Sequence, residues 1–171
     1  MLIEYVGIQG NSKYRNLGTL PYMTNCCFDY GYNSPLFWNS GNHKIGRIRM
    51  VQCGAWNTGP SAYSLANFNN FKALEIVDGG WSVQSSVWGM EFDNCDDIIL
   101  SGVDVARQTA VAGFAFNACN RVNINGCSIH NEPTNPPGSL GTAIIFEGAV
   151  STAVNITGCN LVGDLAFGSI W

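Results

Sequence analysis

The chain has 171 residues, of which 46% are hydrophobic and only 12% charged, with a formal net charge of −4 and 20 glycines. That length suits one domain, and a charged share well under the usual ~25% marks a chain that hides most of its length in ordered contacts. No apolar run approaches the roughly 18 residues of a bilayer span, and no basic cluster offers a footprint for nucleic acid, so neither a membrane nor nucleic acid is expected as a partner.

Residues 1–42 read as an irregular N-terminal segment holding a first rung of the pattern that follows. The opening MLIEYVGIQGNSKYRN carries Glu4 early and lacks a basic stretch before an apolar one, so no signal peptide is expected. LIEYVGIQG is strand-like, PYMTNCCFD is a weak copy of the later units, and NSPLFWNS is a turn-rich approach to the segment around Ile45.

From His43 the chain repeats itself. FNNFKALEIVDGGW at Phe68, FDNCDDIILSGVDV at Phe92 and FNACNRVNINGCSI at Phe116 start 24 residues apart, with further copies at His43 (HKIGRIRMVQCGAW) and Phe146 (FEGAVSTAVNITGCNLV). Taking Cys127 as reference, its counterparts are Cys159, Val103, Gly79, Cys53 and Cys27. Three places earlier stand Met50, Ile76, Leu100, Ile124 and Ile156; five earlier, Ile48, Leu74, Ile98, Val122 and Val154; two later, Ala55, Trp81, Val105, Ile129 and Leu161. Apolar residues thus alternate with polar ones, which means strands with one buried face. The position just before the reference holds Gln52, Asp78, Gly102, Gly126 and Gly158, residues suited to a sharp bend.

A further short strand precedes each unit, seen as GMEF, GFAF and AIIF, so each repeat offers three strands and three bends. Such a unit is one rung of a parallel β-helix, with rungs about 4.8 Å apart and equal residues stacked inward. A helical solenoid would need amphipathic runs of period 3.6, which the copies lack. The expected fold is all-β, a parallel β-helix of about five to six rungs over residues 43–165.

The regularity breaks at NEPTNPPGSLGT, residues 131–142, whose three prolines exclude a central strand and read as a loop thrown out from the rung. Residues 166–171 form an apolar tail ending in Trp171. The seven cysteines form no CxxC pair and lie at no ligand spacing from His43 or His130, so no metal and no cofactor is expected. Cys53, Cys127 and Cys159 fall in one column, and Cys95 and Cys119 in a second; they read as small buried apolar residues in a reduced compartment.

FDNCDDIILSGVDV and FNACNRVNINGCSI resemble rungs of the pectate-lyase-like right-handed β-helix superfamily, and most of all the helices of bacteriophage tailspikes; the likeness covers about residues 43–165. The resemblance implies a right-handed, single-stranded helix that assembles as a homotrimer. It also implies partners among other virion proteins or a host surface glycan, and a place on the virion surface, capsid or tail, after synthesis in the host cytoplasm. The chain is too short for an anchoring head, a long helix and a trimerising tail, which leaves a capsid decoration (cement) protein, a compact spike, or a piece of a longer spike.

Glycan cleavage on such folds needs paired carboxylates. The candidates are Glu91, Asp93 and Asp97, with Asp96 and Glu147 nearby. The register supplies an alternative: Asp97 shares a column with Arg121, and Glu75 with Arg49, as ordinary ladder pairs. Asp93 and Asp96 suit a turn, and neither histidine has an evident acid partner. Trp56 and Trp88 lie between the strand columns, placed either to stack on sugar rings or to pack between protomers. Asn123 with Asn155, and Asn125 with Thr157, suggest polar ladders. The function expected is a non-enzymatic virion structural protein; the alternatives are a polysaccharide depolymerase domain, as glycoside hydrolase or lyase, and a passive glycan-binding module.

Overall fold

A computed structural model describes residues 2–4, 7–9, 13–15, 22–30, 36–38, 46–57, 66–83, 88–107, 112–131, 141–147, 153–163 and 165–167. The first turn of the chain runs through β1 (Leu2–Glu4), β2 (Gly7–Gln9) and β3 (Lys13–Arg15), and the second through β4 (Tyr22–Thr24), β5 (Cys27–Tyr30) and β6 (Leu36–Trp38). Next come β7 (Arg47–Val51), β8 (Gly54–Asn57) and β9 (Ala66–Asn69), then β10 (Ala73–Val77), β11 (Gly80–Val83) and β12 (Trp88–Asp93). β13 (Asp97–Ser101), β14 (Asp104–Arg107) and β15 (Ala112–Asn117) are followed by β16 (Val122–Asn125), β17 (Ser128–Asn131) and β18 (Thr142–Glu147). The last turn is β19 (Val154–Thr157), β20 (Asn160–Leu161) and β21 (Leu165–Phe167).

Every third strand joins the same sheet. Sheet A runs β1-β4-β7-β10-β13-β16-β19, sheet B runs β2-β5-β8-β11-β14-β17-β20, and sheet C runs β3-β6-β9-β12-β15-β18-β21. The chain therefore coils through three seven-stranded sheets, and all described pairings are parallel. The expected all-β, parallel architecture is present. Its extent differs from the five to six rungs expected: residues 2–38 contribute six short strands, two turns of the coil, where the sequence suggests an irregular segment with one rung. Most of these strands are three residues long, too short to show alternation in sequence.

The inward columns follow the repeat. Ile48, Leu74, Ile98, Val122 and Val154 are in register, as are Met50, Ile76, Leu100, Ile124 and Ile156. Val154, in the last turn, departs from its column's expected burial at 37% exposed. Met23 extends the second column, and its members from Met23 to Ile124 are all 0% exposed. Trp81, placed in the core by its column, is 1% exposed. In sheet C, Phe68, Phe92, Phe116 and Phe146 stack with ring centroids 5.2, 4.9 and 5.1 Å apart and nearly parallel planes. Offset stacking of this kind adds to area burial. Among the described residues no helix is long and apolar enough to cross a membrane.

The corner from sheet A to sheet B is two residues long in every turn. Its first residue adopts the left-handed conformation: Asn25 (φ 52), Gln52 (φ 52), Asp78 (φ 55), Gly102 (φ 65), Gly126 (φ 62) and Gly158 (φ 61). This is the column read as turn chemistry, and its glycines meet that conformation without a Cβ penalty. The ladder continues around the bend. Gln52 donates its N–H to Val77 O at 2.8 Å and Gly126 donates to Thr157 O at 2.9 Å, while Ser128 donates to Val103 O at 2.9 Å. The N–H groups at those positions are thus paired within the ladder, although the left-handed residue itself is exposed at Gln52, Asp78, Gly102, Gly126 and Gly158.

The same register corrects one member of the cysteine column. Cys27 pairs with Gly54, and Gly54 donates its N–H to Cys26 O at 2.9 Å. Cys26, not Cys27, therefore stacks beneath Cys53. The step is 27 residues rather than the 26 that placed Cys27 there. Elsewhere the corners vary. The connection from sheet B to sheet C is three residues (10–12) in the first turn and ten (132–141) between β17 and β18. The excursion expected at 131–142 is bracketed by Asn131, which ends β17, and Thr142, which begins β18; residues 132–140 lie outside the described residues. Of the tail at 166–171, Ala166 and Phe167 belong to β21 and the rest lies outside them.

Candidate functional site

The candidate carboxylates divide between two faces. On β12, Glu91 and Asp93 alternate with Met90 and Phe92, which are 0% exposed, so both carboxylates point outward from sheet C. Asn67, one turn below, donates its Nδ2 to Glu91 Oε2 at 2.8 Å and to Asp93 Oδ2 at 3.3 Å. Asn117, one turn above, donates to Asp93 Oδ1 at 3.1 Å. The pair is thus held by carboxamides from the turns on either side. Glu147 shares the column of Asp93 and Asn117.

Asp97 opens β13 and belongs to sheet A, beyond the corner at 94–96. Arg121, one turn on, donates its Nε to Asp97 Oδ1. That hydrogen bond, assisted by the guanidinium charge, holds the Asp97 carboxyl below the usual carboxylate range. Arg49 and Glu75 form the second expected pair at 2.9 Å. Asp96 accepts from Asn120 at 2.8 Å. The structure therefore brings Glu91 and Asp93 together and leaves Asp97 on another sheet.

Trp56 lies in β8, in register with Ser82 of sheet B, and Trp88 opens β12, in register with Ala112 of sheet C. Their side chains lie outside the described residues, as does His43. The polar ladders expected from the columns are formed: Asn155 donates to Asn123 Oδ1 at 3.4 Å and Thr157 to Asn125 Oδ1 at 3.2 Å.

Two arrangements were not anticipated. His130 has an acid partner after all: its Nδ1 lies 3.2 Å from Asp104 Oδ1 on the outer face of sheet B. Asp104 is in register with Ser128, so the contact is diagonal and joins residues of different columns. The second is Arg107, 1% exposed at the end of β14. Its Nη1 donates to Thr142 O at 2.6 Å and its Nη2 to Val162 O at 2.5 Å. The guanidinium thus ties three consecutive turns together where sheet B passes to sheet C, and burial lowers its pKa. The signal was present: Arg107 stands two places after Val105, in the inward phase of β14. Nearby, Gly163 has φ 116, and a Cβ there would lie 2.2 Å from Gly141 O and 3.1 Å from Arg107 Nη2. The chain closes against the arginine only because that position is glycine.

Among the described residues, no group of three or more His, Cys, Asp or Glu side chains is placed to hold a metal ion. What the Glu91–Asp93 face offers chemically is a row of carboxylate and carboxamide groups hydrogen-bonded to one another from turn to turn. Comparisons with protein-family models, with curated proteins and with solved structures find no match.

Proposed function

We propose that this chain is a virion structural protein: a short right-handed parallel β-helix of the pectate-lyase-like kind that trimerises and decorates a bacteriophage particle as a cement protein or compact spike. The observation that carries this reading is the use made of the polar side chains. Glu91, Asp93, Asp97, Glu75 and Asp96 each contact a side chain one turn away, so the outer faces brace a stiff rod. A rod built this way suits a load-bearing part. Assembly would bury side faces between three protomers, and one end of the coil against capsid or tail; a stable interface of that kind covers roughly 1,200–2,000 Å² or more. Light scattering tests it. The expected mass is three times the 18.5 kDa of the monomer, with co-sedimentation on phage particles lacking the protein. A stable monomer with no affinity for particles rules it out.

The placing of Glu91 and Asp93 side by side on the outward side of β12, both hydrogen-bonded to Asn67, favours a second reading, a polysaccharide-degrading spike domain. Release of oligosaccharides from capsular or lipopolysaccharide, lost in Glu91→Gln and Asp93→Asn, would establish it. Passive glycan binding through Trp56 and Trp88 predicts adhesion that disappears when both are replaced.

A further inference from the structure

Six cysteines of the coil fall into three pairs, each in register across one turn. Cys26 lies over Cys53, between the pairings Thr24↔Val51 and Cys27↔Gly54. Cys127 lies over Cys159, between Asn125↔Thr157 and Ser128↔Asn160. Cys95 lies over Cys119, between Asp93↔Asn117 and Ile98↔Val122. None of the six is joined in a disulfide.

Each thiol also donates to the carbonyl two residues before it. The distances are 3.4 Å for Cys26, 3.5 Å for Cys53, 3.2 Å for Cys95, 3.4 Å for Cys119, 3.6 Å for Cys127 and 3.3 Å for Cys159. A shared hydrogen bond means a shared side-chain orientation, so the two sulfurs of a pair stack along the coil. Neighbouring strands are about 4.8 Å apart, inside the range of about 4.4–6.8 Å that Cα atoms span in disulfides. With their side chains parallel, the paired Cβ atoms also stand about one strand spacing apart. Bond closure therefore draws them in to the roughly 3.5–4.5 Å of a disulfide as the sulfurs turn away from their carbonyls. For Cys95, Cys119 and Cys159 those carbonyls include Phe68 O, Phe92 O and Ile124 O at 3.4, 3.1 and 3.7 Å.

We propose that these pairs are modification sites that close as disulfides between consecutive turns, Cys26–Cys53, Cys95–Cys119 and Cys127–Cys159, when the chain meets a small-molecule disulfide such as oxidised glutathione. Cys27, in register with Gly7 and Gly54, stays outside the set. A protein thiolate attacks one sulfur of the oxidant and expels a glutathione thiolate, which takes up the proton lost. The second protein thiolate then attacks the mixed disulfide and expels the other glutathione. Two protein thiols are oxidised and one glutathione disulfide is reduced to two thiols.

Access sets the order. Cys159 is partly exposed in the last turn, whereas Cys26, Cys53, Cys95, Cys119 and Cys127 are buried. Burial also pushes the thiols of Cys53 and Cys127 up to about 11, which starves them of thiolate at neutral pH. The Cys127–Cys159 bond forms first, and faster as pH rises.

The test is to incubate the full, reduced chain with oxidised glutathione under native conditions, alkylate the remaining thiols, and map the peptides by mass. The expected result is the Cys127–Cys159 bond first, the other two pairs later, and Cys27 never joined to any of the six. Cys159→Ser leaves Cys127 alkylated without redirecting it to another cysteine. Cys95→Ser, a second variant, leaves the Cys127–Cys159 bond forming at the wild-type rate. Bonds joining turns that are not neighbours would overturn the proposal. So would glutathione adducts at Cys159 that never resolve onto Cys127, or thiols that oxidise only in denaturant.

Discussion

Replacing Phe92 by alanine is the sharpest test of the inward register. Its ring is 0% exposed and stacked on both sides, 5.2 Å from Phe68 and 4.9 Å from Phe116. Truncation removes the transfer free energy of the ring and leaves a cavity, together about 3–5 kcal/mol for a buried phenylalanine. Loss of two stacked contacts, at about 0.5–1.5 kcal/mol each, places this site at the upper end. The cavity also falls between two interfaces, β12 with β9 and β12 with β15, and a stack of turns holds together only through its nearest neighbours. The control is Ile99→Ala, seven residues on and 44% exposed on the outer face of sheet A, where a change within about 0.5 kcal/mol is expected. Denaturant midpoints of both variants, measured at equal slope, decide the matter. Equal shifts would refute the assignment of alternate residues to core and solvent.

Three further outcomes follow from particular residues. Ala118 holds φ 52 in the column of Asn70 and Asn94, a conformation that costs an L-residue about 1–2 kcal/mol, so Ala118→Gly should raise the denaturation midpoint after the greater chain entropy of glycine is offset. Arg107→Ala leaves the carbonyls of Thr142 and Val162 without their donor in a buried site; a loss of about 3 kcal/mol is expected, read as a lowered melting temperature, with Arg107→Lys recovering only part. The folded-state pKa of Asp97 is lowered, so its contribution is present above the unfolded carboxylate value of about 3.9 and is lost as pH falls through the lower folded value. Asp97→Asn should therefore flatten the acid side of the melting profile slightly, and less so in high salt, because the pair is half exposed.

The middle of the coil was legible because its rungs copy one another at a fixed step. Phe68, Phe92 and Phe116 set the frame, and within it the columns of Ile48 and Met50, the bend column of Gly102, and the pairs Arg121–Asp97 and Arg49–Glu75 all fall where the alternation puts them. The first two turns were not legible, since strands of three or four residues offer at most two inward positions each. The same irregularity shifted the cysteine column by one residue, from Cys26 to Cys27. His130–Asp104 was hidden by its diagonal geometry. Arg107 stands in the inward phase of β14, but its charge argues against burial, and residue type does not say that a guanidinium will be drawn inside to serve two carbonyls.

The unequal corners have a consequence for how such a chain can change. At the two-residue bend between sheets A and B, one inserted residue would flip every following side chain of that strand from core to solvent. At the corner between sheets B and C, connections of three and of ten residues lead into strands of the same sheet in unbroken parallel register. One edge of the coil is therefore a spine that evolution must copy faithfully, and another is a margin on which new text can be written without disturbing the lines above and below. A foreign peptide spliced between Asn131 and Thr142 would be displayed on a frame that does not register its presence.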